Sequence, residues 1–175
     1  LICIVCCLPV ITAGASITAM FYVTMKMVRN EEAYIVRSFF RSFKQNFKQA
    51  TIINVLMLLA GVLLYFDMNI CRSIKGTLSQ VLQVVFTMIL VIYIMIFMYI
   101  YPVLAKFYNT IKNTLINAFL MSVRHLPYTI LMVLISAAPV ALLYFIQNGR
   151  TQLNILMVLI LIGFSGVAYL NSFFF

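Results

Sequence analysis

The 27 residues from 78 to 104 contain no charged side chain, and this run constrains the fold more than any other feature of the sequence. A helix needs about 20 apolar residues to cross the hydrocarbon core of a bilayer. A helix over the whole run would be roughly 40 Å long, so it would have to tilt or protrude from the membrane. The run therefore predicts a transmembrane helix.

Stretches of similar apolar character recur along the whole chain. Of the 175 residues, 65% are apolar and 9% are charged, whereas a soluble domain averages about 25% charged residues. These proportions exclude a soluble globular protein, and also a disordered chain, which needs low hydrophobicity and high charge. We predict an all-α fold, a polytopic transmembrane helical bundle in a single domain over residues 1–175. The predicted spans are 1–8 (partial), 15–28, 51–66, 78–104, 126–146 and 153–170.

The net charge of +9 arises because 12 Lys and Arg residues are opposed by only three acidic residues. The basic residues cluster between apolar spans, which is typical of membrane topology, so we expect no nucleic acid partner. Two alternate connections hold most of them: Lys26, Arg29, Arg37, Arg41, Lys44 and Lys48 in the first, and Lys106, Lys112 and Arg124 in the second. By the positive-inside rule, both connections and both termini of the complete protein are predicted to be cytoplasmic.

Both basic connections have the periodicity of interfacial amphipathic helices, over residues 34–48 and 106–123. In the first helix an apolar stripe lies beside a basic stripe. The apolar stripe consists of Val36, Phe40, Phe43 and Phe47, and the basic stripe of Arg37, Arg41, Lys44 and Lys48. We expect the basic stripe to contact anionic lipids of the cytoplasmic leaflet or a partner protein. The alternative is an ordinary topological anchor.

The sequence lacks the residues that catalysis or metal binding in a membrane would need. Glu31, Glu32 and Asp67 all lie in connections, so the predicted spans contain no carboxylate that could form a buried proton relay. His125 is the only histidine, and metal sites need several His, Cys or carboxylate ligands. We find no phosphate-binding loop and no protease or kinase motif. We expect no enzyme activity, no catalytic residue, no metal and no cofactor.

Uncharged polar side chains in the predicted spans allow two interpretations. Asn54, Gln80, Gln83 and Asn171 lie within or beside spans and could line a solute path. The path that we predict consists of the first three. Alternatively, such residues join neighbouring helices by hydrogen bonds.

The four cysteines also leave two alternatives open. Cys71 could pair with Cys6 or Cys7, because the predicted topology puts all of them near the outer face, where disulfides persist. Free cysteine is also a common small apolar residue in buried surroundings.

Residues 9–14 have the features of a tight turn on the outer side. Pro9 lacks an amide hydrogen, Thr12 can cap the next helix, and Gly14 permits unusual backbone angles. Unpaired backbone groups are costly in hydrocarbon, so this turn should be buried against protein or face water. The candidate covers are the spans that begin at Leu78 and end at Ile146.

Five segments in the same order resemble the YesL-like bacterial membrane proteins, a family defined as a domain of unknown function. They are LPVITAGASITA at 8–19, RSFFRSFKQNFKQAT at 37–51, YPVLAKF at 101–107, RHLPYT at 124–129 and AYLNSFF at 168–174. The resemblance implies a multi-pass protein of the bacterial cytoplasmic membrane, often encoded beside carbohydrate uptake and degradation systems. It also implies longer relatives, in agreement with the apolar runs at both ends of this chain.

Two functions follow as hypotheses. The first is an accessory or regulatory membrane protein of carbohydrate uptake and utilisation, which acts by contact with a sugar transporter or membrane sensor. The second is a small transporter or channel for a neutral sugar-derived solute, motivated by Asn54, Gln80 and Gln83 and by a suspected internal repeat. The repeat would pair the interfacial helix 34–48 and span 51–66 with the interfacial helix 106–123 and span 126–146, and chance similarity is the alternative. A wide polar cavity between the spans would favour the second hypothesis, and a tightly packed bundle the first. The oligomeric state is left open.

Overall fold

A computed structural model of the chain describes residues 2–7, 12–31, 34–73, 77–107, 109–145, 149–159 and 163–174. These residues form helices joined by short connections, and no strand occurs among them, so the predicted all-α class is confirmed. The helices are α1 (Ile2–Cys7), α2 (Ala13–Val28), α3 (Ile35–Ser73), α4 (Thr77–Lys106), α5 (Ile111–Arg124), α6 (Leu126–Phe145), α7 (Gly149–Val158) and α8 (Phe164–Ser172).

Three of the described helical segments are long and apolar enough to cross a membrane. They are Ile35–Ser73, Leu78–Lys106 and Leu126–Leu143. The predicted span 15–28 corresponds to α2, which has 16 residues and buries ten of them, so it is a core helix of the bundle. The predicted span 153–170 falls on α7 and α8, and residues 160–162 between them lie outside the described part of the chain.

Helix α3 has 39 residues in one uninterrupted run, about 58 Å at 1.5 Å per residue. The segment expected to form an interfacial helix, 34–48, and the expected span 51–66 therefore belong to the same helix. No proline occurs between Ile35 and Ser73, so nothing in the backbone chemistry forces a break. In the second half of the chain, α5 ends before His125 and α6 begins at Leu126, where Pro127 cannot continue the preceding helix.

The buried face of the N-terminal half of α3 differs from the apolar stripe seen in the sequence. Phe39, Ser42, Asn46 and Ala50 are buried, at the three- and four-residue spacing of one helix face. By contrast, Val36, Phe40 and Phe47 are exposed. The helix therefore packs through a face of mostly small and polar residues, and the apolar stripe lies largely on the outside.

Helix α2 packs closely against the middle of α3. A Cβ atom added to Gly14 would lie 2.7 Å from the carbonyl oxygen of Ala50 and 2.8 Å from Cβ of Asn54. Gly14 lies in the first turn of α2, and it is close helix packing that requires its small size. The atoms nearest to Gly14 belong to α3, which the sequence analysis did not name beside the spans that begin at Leu78 and end at Ile146. Residues 9–11 of the predicted turn lie outside the described part of the chain.

Helices α3 and α4 form a long antiparallel hairpin. Near its tip, Oγ of Ser79 donates to the carbonyl oxygen of Cys71. Further along, the hydroxyl of Tyr93 donates to the carbonyl oxygen of Met57 at 2.9 Å. Many large apolar side chains on the outside of this hairpin are exposed, as expected for a surface that faces lipid. They include Leu59, Leu63, Phe66, Val81, Val84 and Met88.

The connection between α4 and α5 lies beside the N-terminal half of α3. Nε2 of Gln49 donates a 2.6 Å hydrogen bond to the carbonyl oxygen of Asn109. The connection between α3 and α4, after Ser73, lies at the opposite end of α3. The two basic connections thus lie at the same end of the α3–α4 hairpin, away from its tip. The predicted topology requires both of them to be on one side of the membrane.

Candidate functional site

The structure does not bring the three predicted solute-path residues together. Asn54 is buried, and its Oδ1 accepts a 2.8 Å hydrogen bond from the hydroxyl of Tyr101 on α4. Gln80 and Gln83 are exposed near the other end of α4. Since 18 residues of helix separate Gln83 from Tyr101, they lie about 27 Å apart along the axis. Asn54 therefore joins two helices, and the described residues form no polar path through these three positions.

Buried hydroxyl and amide groups join helices at several other places, which is the usual role of such groups between membrane helices. The hydroxyls of Thr24 on α2 and Ser172 on α8 are 2.7 Å apart. Oγ1 of Thr129 on α6 lies 3.0 Å from the hydroxyl of Tyr99 on α4. These bonds fix α6 and α8 against the α2–α4 core.

The four cysteines are free. Sγ of Cys7 lies 3.9 Å from the carbonyl oxygen of Ala13, next to Gly14 and hence beside Asn54. Cys71 lies roughly 25 Å further along α3, whereas the Cα atoms of a disulfide are separated by less than about 7 Å. A bridge from Cys71 to Cys6 or Cys7 is excluded by this geometry.

The basic stripe of α3 is fully available for contact. Its members are Arg37, Arg41, Lys44 and Lys48, and all of them are exposed. The exposed aromatic rings of Phe40 and Phe47 lie on the same part of the helix. The described residues place no acidic side chain within salt-bridge distance of the stripe; the one described ion pair joins Lys26 to Glu31 at 3.8 Å. The surface therefore presents unpaired positive charge next to apolar rings.

A cavity of about 660 Å³ lies between α1, α2, α4, α6, α7 and α8. Its size falls within the roughly 300–1,000 Å³ of small-molecule sites. The lining is Cys7, Ile17, Met20, Phe21, Phe97, Met98, Tyr101, Ser136, Pro139, Leu143, Leu156, Leu159, Gly163, Val167, Ala168 and Asn171. None of these side chains carries a formal charge, and nearly all are apolar. We did not identify this site from the sequence, because apolar side chains that line a cavity have the same helical periodicity as those that pack in a core.

The polar groups of this cavity are concentrated on α6 and α8. Nδ2 of Asn171 donates a 3.1 Å hydrogen bond to Oγ of Ser136. Oδ1 of Asn171 is buried and has no hydrogen-bond partner among the described residues. Buried polar atoms in native proteins are nearly always paired, so an unpaired acceptor in the wall of a cavity is a candidate ligand contact.

Comparisons with known proteins agree with the resemblance seen in the sequence. A family model described as "Protein of unknown function, DUF624" matches residues 1–68. The uncharacterized protein YesL of Bacillus subtilis (strain 168) is 29% identical over 115 residues, which is 65% of this chain and 54% of the relative. The match thus covers about half of the relative's length. No solved structure matches the chain.

Proposed function

We propose that this chain, which is similar to the DUF624 family model over residues 1–68 and to the YesL protein, is an accessory or regulatory membrane protein of carbohydrate uptake and utilisation. In this proposal it is not an enzyme. It acts from the bacterial cytoplasmic membrane by contact with a sugar transporter or a membrane sensor. The association with carbohydrate systems comes from the family resemblance, and the mode of action is argued from the structure.

The basic stripe of α3 is the observation that carries the proposal. Four exposed positive charges stand on a helix that is continuous with a membrane-spanning segment. A charged surface of this kind steers and orients a partner of opposite charge. It is also attracted to anionic lipids, at about 1 kcal/mol for each Lys or Arg near the surface. Both contacts are expected on the cytoplasmic side.

The lining of the bundle argues against the transport alternative. A neutral sugar forms many hydrogen bonds with water and loses them in an apolar site unless the protein replaces them. The large cavity is almost entirely apolar, and Asn54, Gln80 and Gln83 do not meet. A small transporter or channel for a neutral sugar-derived solute therefore has less support than contact with another membrane protein.

The proposal is tested by comparing the protein alone with the protein in its own cell. Proteoliposomes that contain only this protein should take up labelled oligosaccharide no faster than empty liposomes. Cells that lack the protein should take up the same oligosaccharide more slowly than the parent strain, and the intact gene should restore uptake.

Two variants of the basic stripe distinguish the effect of its charge from an effect on the structure of the helix. A variant with Gln at Arg37, Arg41, Lys44 and Lys48 should fail to restore uptake, whereas a variant with Arg and Lys exchanged at these positions should restore it. Uptake into the proteoliposomes would overturn the accessory role in favour of transport. Full restoration by the Gln variant would show that the basic stripe is not the contact surface.

A further inference from the structure

The cavity between α1, α2, α4, α6, α7 and α8 selects against charged and sugar-like ligands. Its walls are formed mainly by large apolar side chains such as Ile17, Met20, Phe97 and Leu143, and the described residues that line it include no Lys, Arg, Asp or Glu. An ion would remain unpaired there, and a sugar would lose most of its hydrogen bonds. The ligand that fits must therefore bury a largely apolar body.

The polar end of the cavity adds a second requirement. Asn171 is only 2% exposed, and its Nδ2 is engaged by Ser136. Its Oδ1 is a buried acceptor without a partner among the described residues, so it is suited to a hydrogen-bond donor. The other prominent hydroxyl of the lining, that of Tyr101, already donates to Asn54. The cavity thus combines an apolar volume with one unpaired neutral acceptor.

We propose that this cavity binds a neutral single-chain amphiphile that carries a hydroxyl group. The hydroxyl donates to Oδ1 of Asn171, and the hydrocarbon chain lies among the apolar side chains of α2, α4 and α6. The ligand is neutral because no charged side chain is available to pair with it. This site is separate from the basic stripe, so it does not depend on the accessory role proposed above.

The test uses the full chain in phospholipid nanodiscs, because detergents are themselves single-chain amphiphiles. The probe is hexadecanol with a photoreactive diazirine in its chain, and mass spectrometry maps the cross-linked peptides. The competitors are hexadecanol and its methyl ether, which have the same chain but differ in the donor. We expect cross-links on cavity-lining peptides of α2, α4 and α6, where the chain lies. Hexadecanol should compete at a roughly fivefold lower concentration than the ether, as expected for one hydrogen bond.

Two substitutions locate the site. Asn171→Leu should abolish the preference for the alcohol over the ether. Val167→Phe should fill part of the cavity and suppress the cross-links, whereas Val158→Phe, the same change at an exposed position outside the cavity, should leave them unchanged.

The comparison of alcohol with ether on the unmodified protein needs no variant, so it remains decisive if a substitution prevents folding. Equal competition by the two compounds would overturn the proposal. Cross-links that avoid the lining peptides, or that persist unchanged in a folded Val167→Phe protein, would overturn it as well.

Discussion

The hydroxyl of Tyr101 lies 2.8 Å from Oδ1 of Asn54, a residue 47 positions earlier in the chain, and this bond joins α4 to α3. Asn54 also lies against Gly14, so that α2, α3 and α4 meet around one buried amide side chain. The geometry of this junction leads to the first two predictions.

Tyr101→Phe should lower the free energy of unfolding by about 0.5–1.5 kcal/mol, because it removes the hydroxyl that Asn54 accepts from. The measurement is unfolding of the detergent-solubilised protein by titration with sodium dodecyl sulfate. Tyr65→Phe is the matched control, since the Tyr65 side chain is 66% exposed. Equal effects of the two substitutions would show that the bond to Asn54 does not contribute to stability.

Gly14→Val should lower the thermal midpoint in detergent clearly more than Ala13→Val. The added side chain would meet the carbonyl oxygen of Ala50 at less than a normal contact distance, and overpacking of this kind costs about 1–3 kcal/mol. Ala13 is only half-buried and is the adjacent position on the same helix. Gly14→Ala should give an intermediate loss. If the two valine variants have the same thermal midpoint, α2 and α3 do not approach each other as closely as described.

Removal of the basic stripe should weaken the association of the whole protein with anionic lipid. Four charges contribute at most about 4 kcal/mol, and salt screening reduces this at physiological ionic strength. The change is Gln at Arg37, Arg41, Lys44 and Lys48, and the measurement is the anionic lipid that co-purifies with the protein, resolved by native mass spectrometry. The Arg and Lys exchange at the same positions serves as the control. Undiminished lipid in the Gln variant would mean that the stripe has no lipid role.

Single cysteines should report opposite sides for the two ends of α3. In a protein whose native cysteines are replaced by Ala, Cys at Gln45 or Asn113 should react with an impermeant maleimide only from the cytoplasmic side. Cys at Ser73 should react only from outside, because it lies at the other end of α3. All three positions are exposed. Labelling from the reverse sides would show that the topology is the opposite of the predicted one. Labelling of all three positions from one side would show that α3 does not span the membrane.

The extents of several helices could be predicted from the sequence. Apolar length alone placed α4 and α6 within two residues of their ends, because in a membrane every backbone group must be paired within a helix. The continuity of α3 was missed, since a change from basic to apolar composition was interpreted as a change of element. Pro127 coincides with the break between α5 and α6, and α3 has no proline, but Pro102 and Pro139 lie inside α4 and α6, so proline alone does not set the helix ends.

The packing face of α3 was not predicted either, because composition was again the criterion. A search for apolar periodicity selects large side chains such as Phe40 and Phe47, which face outwards. The bundle instead packs through Ser42, Asn46 and Ala50, because membrane helices approach each other through small and polar residues. The cavity at Asn171 depends on helices far apart in sequence, so no local pattern could reveal it.

Because α3 is one continuous helix, its membrane half and its basic end move together. Since a helix bends little along its length, any change in the tilt of its membrane half must reappear at its basic end. A rotation of about 10° around Asn54 would move the N-terminus at Ile35, roughly 28 Å away, through about 5 Å. Helices adjust their tilt when bilayer thickness changes. A tilt of the membrane half of α3 with bilayer thickness would therefore displace the four positive charges of the basic stripe.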